Sequence, residues 1–494
     1  MRILHRAVLI AATVVCVTIL AASAAPAQDA AARQILDAAG VKGGLVVHVG
    51  CGDGRLTGAL YAGSSYVVHG LDTDPSMVQT ARRTVQSLGL SGPVAVDVFD
   101  GKALPYVDGL VNLIVISAGP VPPAEEIARA LAPRGVALIA GDARRPSDSP
   151  LLARSASELG GWTMLSKPVP PGIDDWTHYL HGPDGHVMSN DTVVGPPYHI
   201  QWLGAPTHSR SHSHLTTINV MVSGGGRLFY IADESLTALP NSLPSRWALI
   251  ARDAFNGIEL WRRPLSRWQP YYVKDRNSYP ADLHRRLVAA DDVVFATLSI
   301  VGPVSALDAA SGRTVRTYSR TEMTEDIIYE AGILYLSVNT GEASQIDRLQ
   351  MAYRHVEPRQ KRIMAIEAES GRVIWEKSDG DTDGLMPMTL AVKNARLYFQ
   401  NSENVVCLDK TTGKLLWGSA RPSEYFRPGW SSPTLVAFDD VVISADRQSG
   451  PGQQVGKDQY YSTRLGNSCG IRLVNVLPSD IDLFGSSNVT WKCE

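Results

Sequence analysis

Residues 48–56 read HVGCGDGRL, an apolar strand running into glycines at positions 50, 52 and 54. Glycine carries no Cβ and tolerates positive φ, so such a turn lets bare main chain close on a nucleotide-like ligand. Two acids follow, Asp72, 22 residues after Gly50, and Asp100 in FDGKALPY, and each carboxylate can accept hydrogen bonds. A second cluster is rich in histidine. Seven of the 12 histidines fall between residues 178 and 214, in WTHYLHGPDGH, YHI and THSRSHSHL. His212 and His214 would share one strand face with His208 joining across a turn, a geometry open to a divalent metal. The other reading is a polar interdomain joint with its imidazoles bonded to backbone. The joint is preferred because Asp174, Asp175, Asp184 and Asp191 show no fixed ligand spacing, and no metal ligands are assigned. The cysteines at 51, 407, 469 and 493 include no Cys-x-x-Cys pair, which excludes a zinc-ribbon site. A bridge between Cys469 and Cys493 is permitted in an oxidising compartment but does not follow from the spacing.

The elements that must position the glycine loop lie between residues 44 and 166. LVVHV, YVVHGL, VAVDVF, LVNLIVIS, VALIA and WTMLS read as strands, and their apolar runs are continuous, as in strands covered on both faces. MVQTARRTVQSLG, AEEIARALAP and LLARSASELG carry apolar residues at helical spacing. Together they predict a mostly parallel, Rossmann-like α/β domain over residues 28–169. Prolines and glycines cluster in KPVPPGIDDWTHYLHGPDGH and stop the helical periodicity, so residues 170–219 are read as the histidine-rich interdomain joint.

Beyond residue 216 short strands and turns take over. DAFNGIELW (253–261), DAASGRTVR (308–316), EAESGRVIW (367–375) and DKTTGKLLW (409–417) align without gaps, each with an acid four residues before a glycine and three closing on Trp. Their glycines, at 257, 312, 371 and 413, are 55, 59 and 42 residues apart, which suits one four-stranded propeller blade per repeat with loop insertions. The acid can accept backbone hydrogen bonds, the glycine supplies positive φ, and the Trp is a plate able to dock between blades. In DAASGRTVR, Arg316 stands at the Trp position with Tyr318 two residues on, so that blade is expected to be the least well locked. TLVAFDDVVISAD begins a further unit, leaving an all-β partial propeller over 220–447, short of the roughly six to eight blades that close a ring. An open array would expose edge strands. After Gln448 the pattern fades, and residues 448–494 read as a diverged or truncated tail. GGGRLFYIADE (224–234) reads as a turn into the first full blade, since no helix follows to make it a phosphate loop.

With 494 residues, 44% of them hydrophobic, the chain has material for more than one core. Its 46 basic and 49 acidic residues show no long run of one sign, which speaks against a nucleic-acid footprint or a polybasic membrane patch. Arg2 and Arg6 precede the uncharged AVLIAATVVCVTILAASAA and then Ala25-Pro26-Ala27, the pattern of a signal peptide over residues 1–27. The alternative is an uncleaved anchor, because residues 7–25 approach the ~20 needed to span a bilayer. Export to the periplasm or cell envelope, with no stable membrane span after cleavage, is the expectation.

VVHVGCGDGRL, VVHGLDTDPSMVQTARR, VFDGKALPYVDGLVNLIVIS and EIARALAPRGVALIA, in this order over residues 44–140, resemble the successive motifs of class I S-adenosylmethionine-dependent methyltransferases. The resemblance implies that Gly50, Gly52 and Gly54 approach the methionine and ribose part of the cofactor. It also implies that Asp72 accepts the ribose hydroxyls and that Asp100 lies near the adenine amino group. A dinucleotide is the rival ligand, but Gly54 falls one residue early for Gly-x-Gly-x-x-Gly. The chain departs from the family at His48 and Asn112, where acids are common. An acid at 48 would help hold the cofactor's ammonium, so its loss is expected to weaken binding about ten- to hundredfold; a neutral His48 can accept weakly, whereas a protonated one would repel. Methyl transfer to a nucleophilic acceptor asks mainly for collinear placement, so no catalytic residue is named.

The repeats over roughly 220–445 are similar to those of pyrroloquinoline-quinone (PQQ)-type propellers, a superfamily holding quinoprotein alcohol dehydrogenases and also assembly scaffolds without quinone. The dehydrogenases hold quinone beside Ca²⁺, a catalytic Asp and a disulfide of adjacent cysteines. This chain has no adjacent cysteines, and PQQ is not expected. The resulting expectation is an exported two-domain methyltransferase with S-adenosylmethionine as cofactor and an envelope protein or glycan as partner on the propeller rim. A non-catalytic envelope scaffold is the alternative, and a quinone-dependent oxidoreductase a more distant one.

Overall fold

The computed structural model describes residues 28–141, 148–156, 159–196, 200–205, 218–235, 245–268, 281–342, 360–423, 433–439, 441–447 and 469–475. Contacts group these into two compact units. One runs to Ile173 and takes in Thr192–Gly204 and Arg252–Trp261; the other holds Asp174–Asp191, Ala205–Ala251 and the chain from Arg262 onward. The stretch read from sequence as a joint is therefore divided between the two.

The first unit is built on one sheet. Its strands are β1 (Gly44–Val49), β2 (Tyr66–Asp72), β3 (Val94–Val98), β4 (Val111–Ile116), β5 (Leu131–Ala140), β6 (Ala153–Ala156) and β7 (Trp162–Ser166), in the order β3-β2-β1-β4-β5-β7-β6. The first five are parallel, and β7 runs antiparallel to both β5 and β6. Strand β1 is apolar apart from His48 because both its faces are covered. Val46 belongs to a core with helix α1 (28–39) and helix α3 (Pro75–Ser87), while Val47 and Val49 pack with Ile127 of α4 (Ala124–Ala130). Helix α3 starts sharply because the Asp74 carboxylate accepts the Ser76 N–H at 2.8 Å and Pro75 needs no donor in the first turn. Val78, Ala81 and Val85 form its buried stripe. A short α2 (Arg55–Ala59) follows the glycine loop. LLARSASELG, expected as helical, instead supplies β6. Arg154 and Ser155 stand opposite Leu165 and Met164 of β7, so pairing with an available strand edge overrides a weak helical periodicity.

From Ile218 onward the chain forms five antiparallel sheets, four of four strands and a last of three. The repeat signature is the turn before each fourth strand. At Asp253, Asp308, Glu367 and Asp409 the acid's carbonyl accepts the N–H of the repeat glycine at 3.0, 2.8, 2.8 and 2.9 Å. Those glycines have φ of 72, 68, 79 and 70°. Trp375 lies on Gly413, where a Cβ would sit 2.6 Å from Cε3, and its indole N–H donates to the Lys410 carbonyl at 2.9 Å. One repeat earlier Tyr318 makes the equivalent hydrogen bond: buried, it donates its hydroxyl to the Ala368 carbonyl at 2.6 Å, one residue after Glu367 as Lys410 is one after Asp409. The blade of DAASGRTVR, expected to be the least well locked, keeps the equivalent hydrogen bond, while Tyr318 stands farther from its glycine, 3.8 Å from the place of a Gly371 Cβ. The residue two places beyond Arg316 returns to the same face of the chain, and its ring reaches the equivalent carbonyl. Residues 225–226 form the turn of the first hairpin, between Ile218–Gly224 and Arg227–Asp233. The faded tail is also not without structure, since Cys469–Asn475 pairs with Val441–Arg447 as the third strand of the fifth sheet.

The first strands of the five sheets, Ile218–Gly224, Leu287–Ala290, Thr324–Glu330, Ala391–Lys393 and Thr434–Phe438, lie next to one another in sequence order. Each presents an edge N–H, and one segment of the second unit receives all five. Trp176 O accepts from Ser223, Thr177 O from Ala289, the His178 Nε2 from Tyr329, Pro183 O from Val392 and Asp184 O from Ala437, at 2.8 to 3.1 Å. Residues 176–184 are a strap across the inner edges. Among the described residues no helix is long and apolar enough to cross a membrane.

Candidate cofactor site

The loops that leave the carboxyl ends of β1 to β4 converge where the strand order reverses between β1 and β4, the position at which open α/β sheets take ligands. Gly50, Gly52 and Gly54 have φ of 75, 52 and 81°. A Cβ on Gly50 would stand 2.3 Å from the Ala118 carbonyl oxygen, so glycine lets the first loop lie against the loop after β4. At Gly54 it would stand 2.7 Å from the Ala81 Cα, the closest approach of the loop to α3. Gly52 meets nothing within 4 Å and is the glycine that offers open main chain. On the loop after β3, a Cβ on Gly101 would touch Pro120 at 2.9 Å and Thr73 at 3.3 Å.

The two acids sit at the ends of neighbouring strands. Asp72, half-buried at the end of β2, accepts the Gly52 N–H at 3.1 Å through Oδ2 and the Asp74 N–H at 3.1 Å through Oδ1. Asp100 is exposed, and its Oδ1 accepts the N–H groups of Lys102 and Ala103 at 2.8 and 2.9 Å, which hold its carboxyl below the usual carboxylate range. Each carboxylate keeps lone pairs beyond these bonds. Room at Gly52, the Asp72 carboxylate bonded to it and the Asp100 carboxylate just beyond the end of the next strand fit a ligand carrying hydroxyl and amino donors, so the residues present suit S-adenosylmethionine.

His48 does not line the open side of the loop. It is 1% exposed, with Nδ1 2.8 Å from Thr57 Oγ1 and Nε2 2.7 Å from Ser117 Oγ, and Ser117 Oγ donates to the Gly50 carbonyl at 3.2 Å. Burial pushes its pKa down to about 4, against a smaller pull from Asp72, so the repulsion expected of a protonated ring does not arise near neutral pH. Thr57 and Ser117 were not singled out by sequence; Ser117, directly after β4, is the one whose position marks it. Asn112 lies at the opposite end of β4 from the glycine loop. Within the first unit its Oδ1 accepts from Leu45 N and Asn256 Nδ2, and its Nδ2 donates to Asp253 Oδ2 at 2.7 Å, a place where an acid would oppose Asp253. The Cys51 thiol is buried and pushed up to about 12, chiefly by desolvation. Tyr106 of the LPY motif bonds to His69 at 2.7 Å, and His69 to Asp97 at 3.0 Å.

In the strap, His178 accepts from Tyr329 and His181 bonds Asp174 at 2.6 Å, and just beyond it His186 stacks on Phe438. His199, His208, His212 and His214 lie outside the described residues, as do Cys493 and the side chain of Cys469. Among the described residues no three His, Cys, Asp or Glu side chains group to hold a metal.

A family described as a methyltransferase domain matches residues 46–135, and one described as outer membrane protein assembly factor BamB matches residues 245–427 and 359–450. No curated protein matches the chain. Among solved structures it is similar to a protein of Methanococcus maripaludis assigned as an S-adenosyl-L-methionine-dependent methyltransferase, at 18% identity and a TM-score of 0.25, over 30% of this chain and 89% of that one. It is also similar to a SAM-dependent methyltransferase from Aquifex aeolicus (20% identity, TM-score 0.23, 28% and 88% covered). A third is geranyl diphosphate methyltransferase in complex with SAM (20%, 0.20, 22% and 48%). The chain carries a methyltransferase-type α/β domain followed by a PQQ-like β-propeller repeat domain.

Proposed function

We propose that the first unit binds S-adenosylmethionine and passes its methyl group to a nucleophilic acceptor. The observation that carries this reading is the room beside Gly52, whose N–H is held by Asp72, with Asp100 just beyond the end of the neighbouring strand, all within the span that matches methyltransferase domains. S-adenosylmethionine supplies an electrophilic methyl on a sulfonium. Asp72 accepts the ribose hydroxyls, Asp100 faces the adenine amino group, and Gly50 and Gly54 set the loop's height above the sheet. Proximity and alignment then supply the rate, with no acid or base named on this chain. Calorimetric titration of the full chain with S-adenosylmethionine and with S-adenosylhomocysteine is expected to show one site for each. No heat with either ligand, at protein concentrations well above a micromolar dissociation constant, removes the enzyme reading.

The BamB-type match supports a second reading, in which the exported chain serves as an envelope scaffold whose repeats bind a protein or glycan. Cell fractionation separates the two. An envelope location with capture of a defined envelope partner supports the scaffold, whereas a cytoplasmic location with cofactor binding overturns it.

A further inference from the structure

We infer that His48 is a positioning residue: its neutral ring pins the glycine loop to the loop after β4 and so sets the spacing of the two walls of the cradle. The chain of bonds has a direction. Ser117 Oγ spends its hydrogen on the Gly50 carbonyl, so it accepts from His48 Nε2–H, and Nδ1 is left to accept the Thr57 hydroxyl. One side chain therefore ties α2, β1, the first loop and the fourth. Every partner is neutral. Thr57 faces the ring from α2, Ser117 from beyond β4, Gly70 and Val115 are its register neighbours on β2 and β4, and the charged group that reaches it is Asp72 at the end of β2. A proton on Nδ1 would face the Thr57 hydroxyl without an acceptor until that rotor turned, and burial disfavours the charge. The pin thus belongs to the uncharged ring.

The inference rests on the cofactor reading for its ligand but not for its geometry, and the test separates the two. In the full chain, His48→Phe keeps the bulk and loses both bonds of the ring, Ser117→Ala removes the hydroxyl that joins Nε2 to the Gly50 carbonyl and leaves the bond to Thr57, and His48→Gln keeps an amide donor at the place of Nε2 that cannot take a proton. Hydrogen exchange of residues 48–54 and 115–119 and titration with S-adenosylhomocysteine are measured at neutral pH and at about pH 5. Both segments are expected to exchange about tenfold faster in His48→Phe, with β7 unchanged and affinity lower by a similar factor. Ser117→Ala should move the same way by less, and His48→Gln should restore both. Wild-type binding should not differ between the two pH values. Unchanged exchange in Ser117→Ala and His48→Phe overturns the pin, as does a wild-type affinity that falls by about pH 5 while that of His48→Gln holds. If wild type gives no heat, the cofactor reading fails while exchange still decides the pin. If His48→Phe does not fold, Ser117→Ala decides it.

Discussion

At Gly54 an added Cβ would stand 2.7 Å from the backbone of Ala81, whereas at Gly52 it would meet nothing within 4 Å. The same substitution at the two sites therefore separates stability from binding. Gly54→Ala is expected to cost roughly 2–4 kcal/mol, from a positive φ together with a backbone clash, and to show as a lower melting temperature. Gly52→Ala should cost only about 1 kcal/mol of backbone strain while weakening S-adenosylmethionine binding by about tenfold or more in calorimetry. The types and order of Gly50, Gly52, Gly54, Asp72 and Asp100 were legible in sequence because a tight loop and strand-end acids leave local marks. What separates the three glycines was not, since it depends on Ala118 and Ala81, residues brought up by other elements. His48 shows the same limit. Its residue type left open a neutral ring accepting weakly from a ligand or a protonated one repelling it, and only the contact with Thr57 and Ser117 shows a buried, neutral ring.

Among the elements, the repeat lock shows what a gapless sequence alignment can miss. The signature placed each turn correctly, because acid, glycine and spacing are local properties of five residues. It did not show that Tyr318 serves for the absent Trp, because that equivalence is between ring positions in space. Trp375→Ala should destabilise by about 3–5 kcal/mol, the usual cost of emptying a large aromatic site. Tyr318→Phe, which keeps the ring and loses the bond to Ala368, should cost about 1 kcal/mol. Denaturant titration of the two variants checks the ranking. Strand β6 was hidden for a related reason: four residues on a sheet edge take their conformation from β7 rather than from their own pattern.

For the whole molecule, each unit contains, among the described residues, a buried histidine held neutral, His48 in the first and His178 in the second. Burial pushes His48 to about 4 and, helped by Arg285 and His181, His178 to about 3. Both lie below the ordinary histidine value, so as pH falls the unfolded chain takes up protons first and stability declines. The loss begins near the ordinary value of about 6.5 and runs down to the folded value of each ring, amounting to roughly 3–5 kcal/mol per site. Denaturation midpoints taken from neutral pH to about pH 4 should fall steadily, and His48→Gln should flatten the first unit's share. A midpoint independent of pH over that range would contradict the neutral assignment of both rings.

The strap precedes every sheet whose edge it covers, and its acceptors from Trp176 to Asp184 meet those sheets in the order in which they are synthesised. A ribosome working from the amino terminus therefore lays down the receiving line first. Each of these first strands, on emerging, can give an edge N–H to that line at once, without waiting for a later blade.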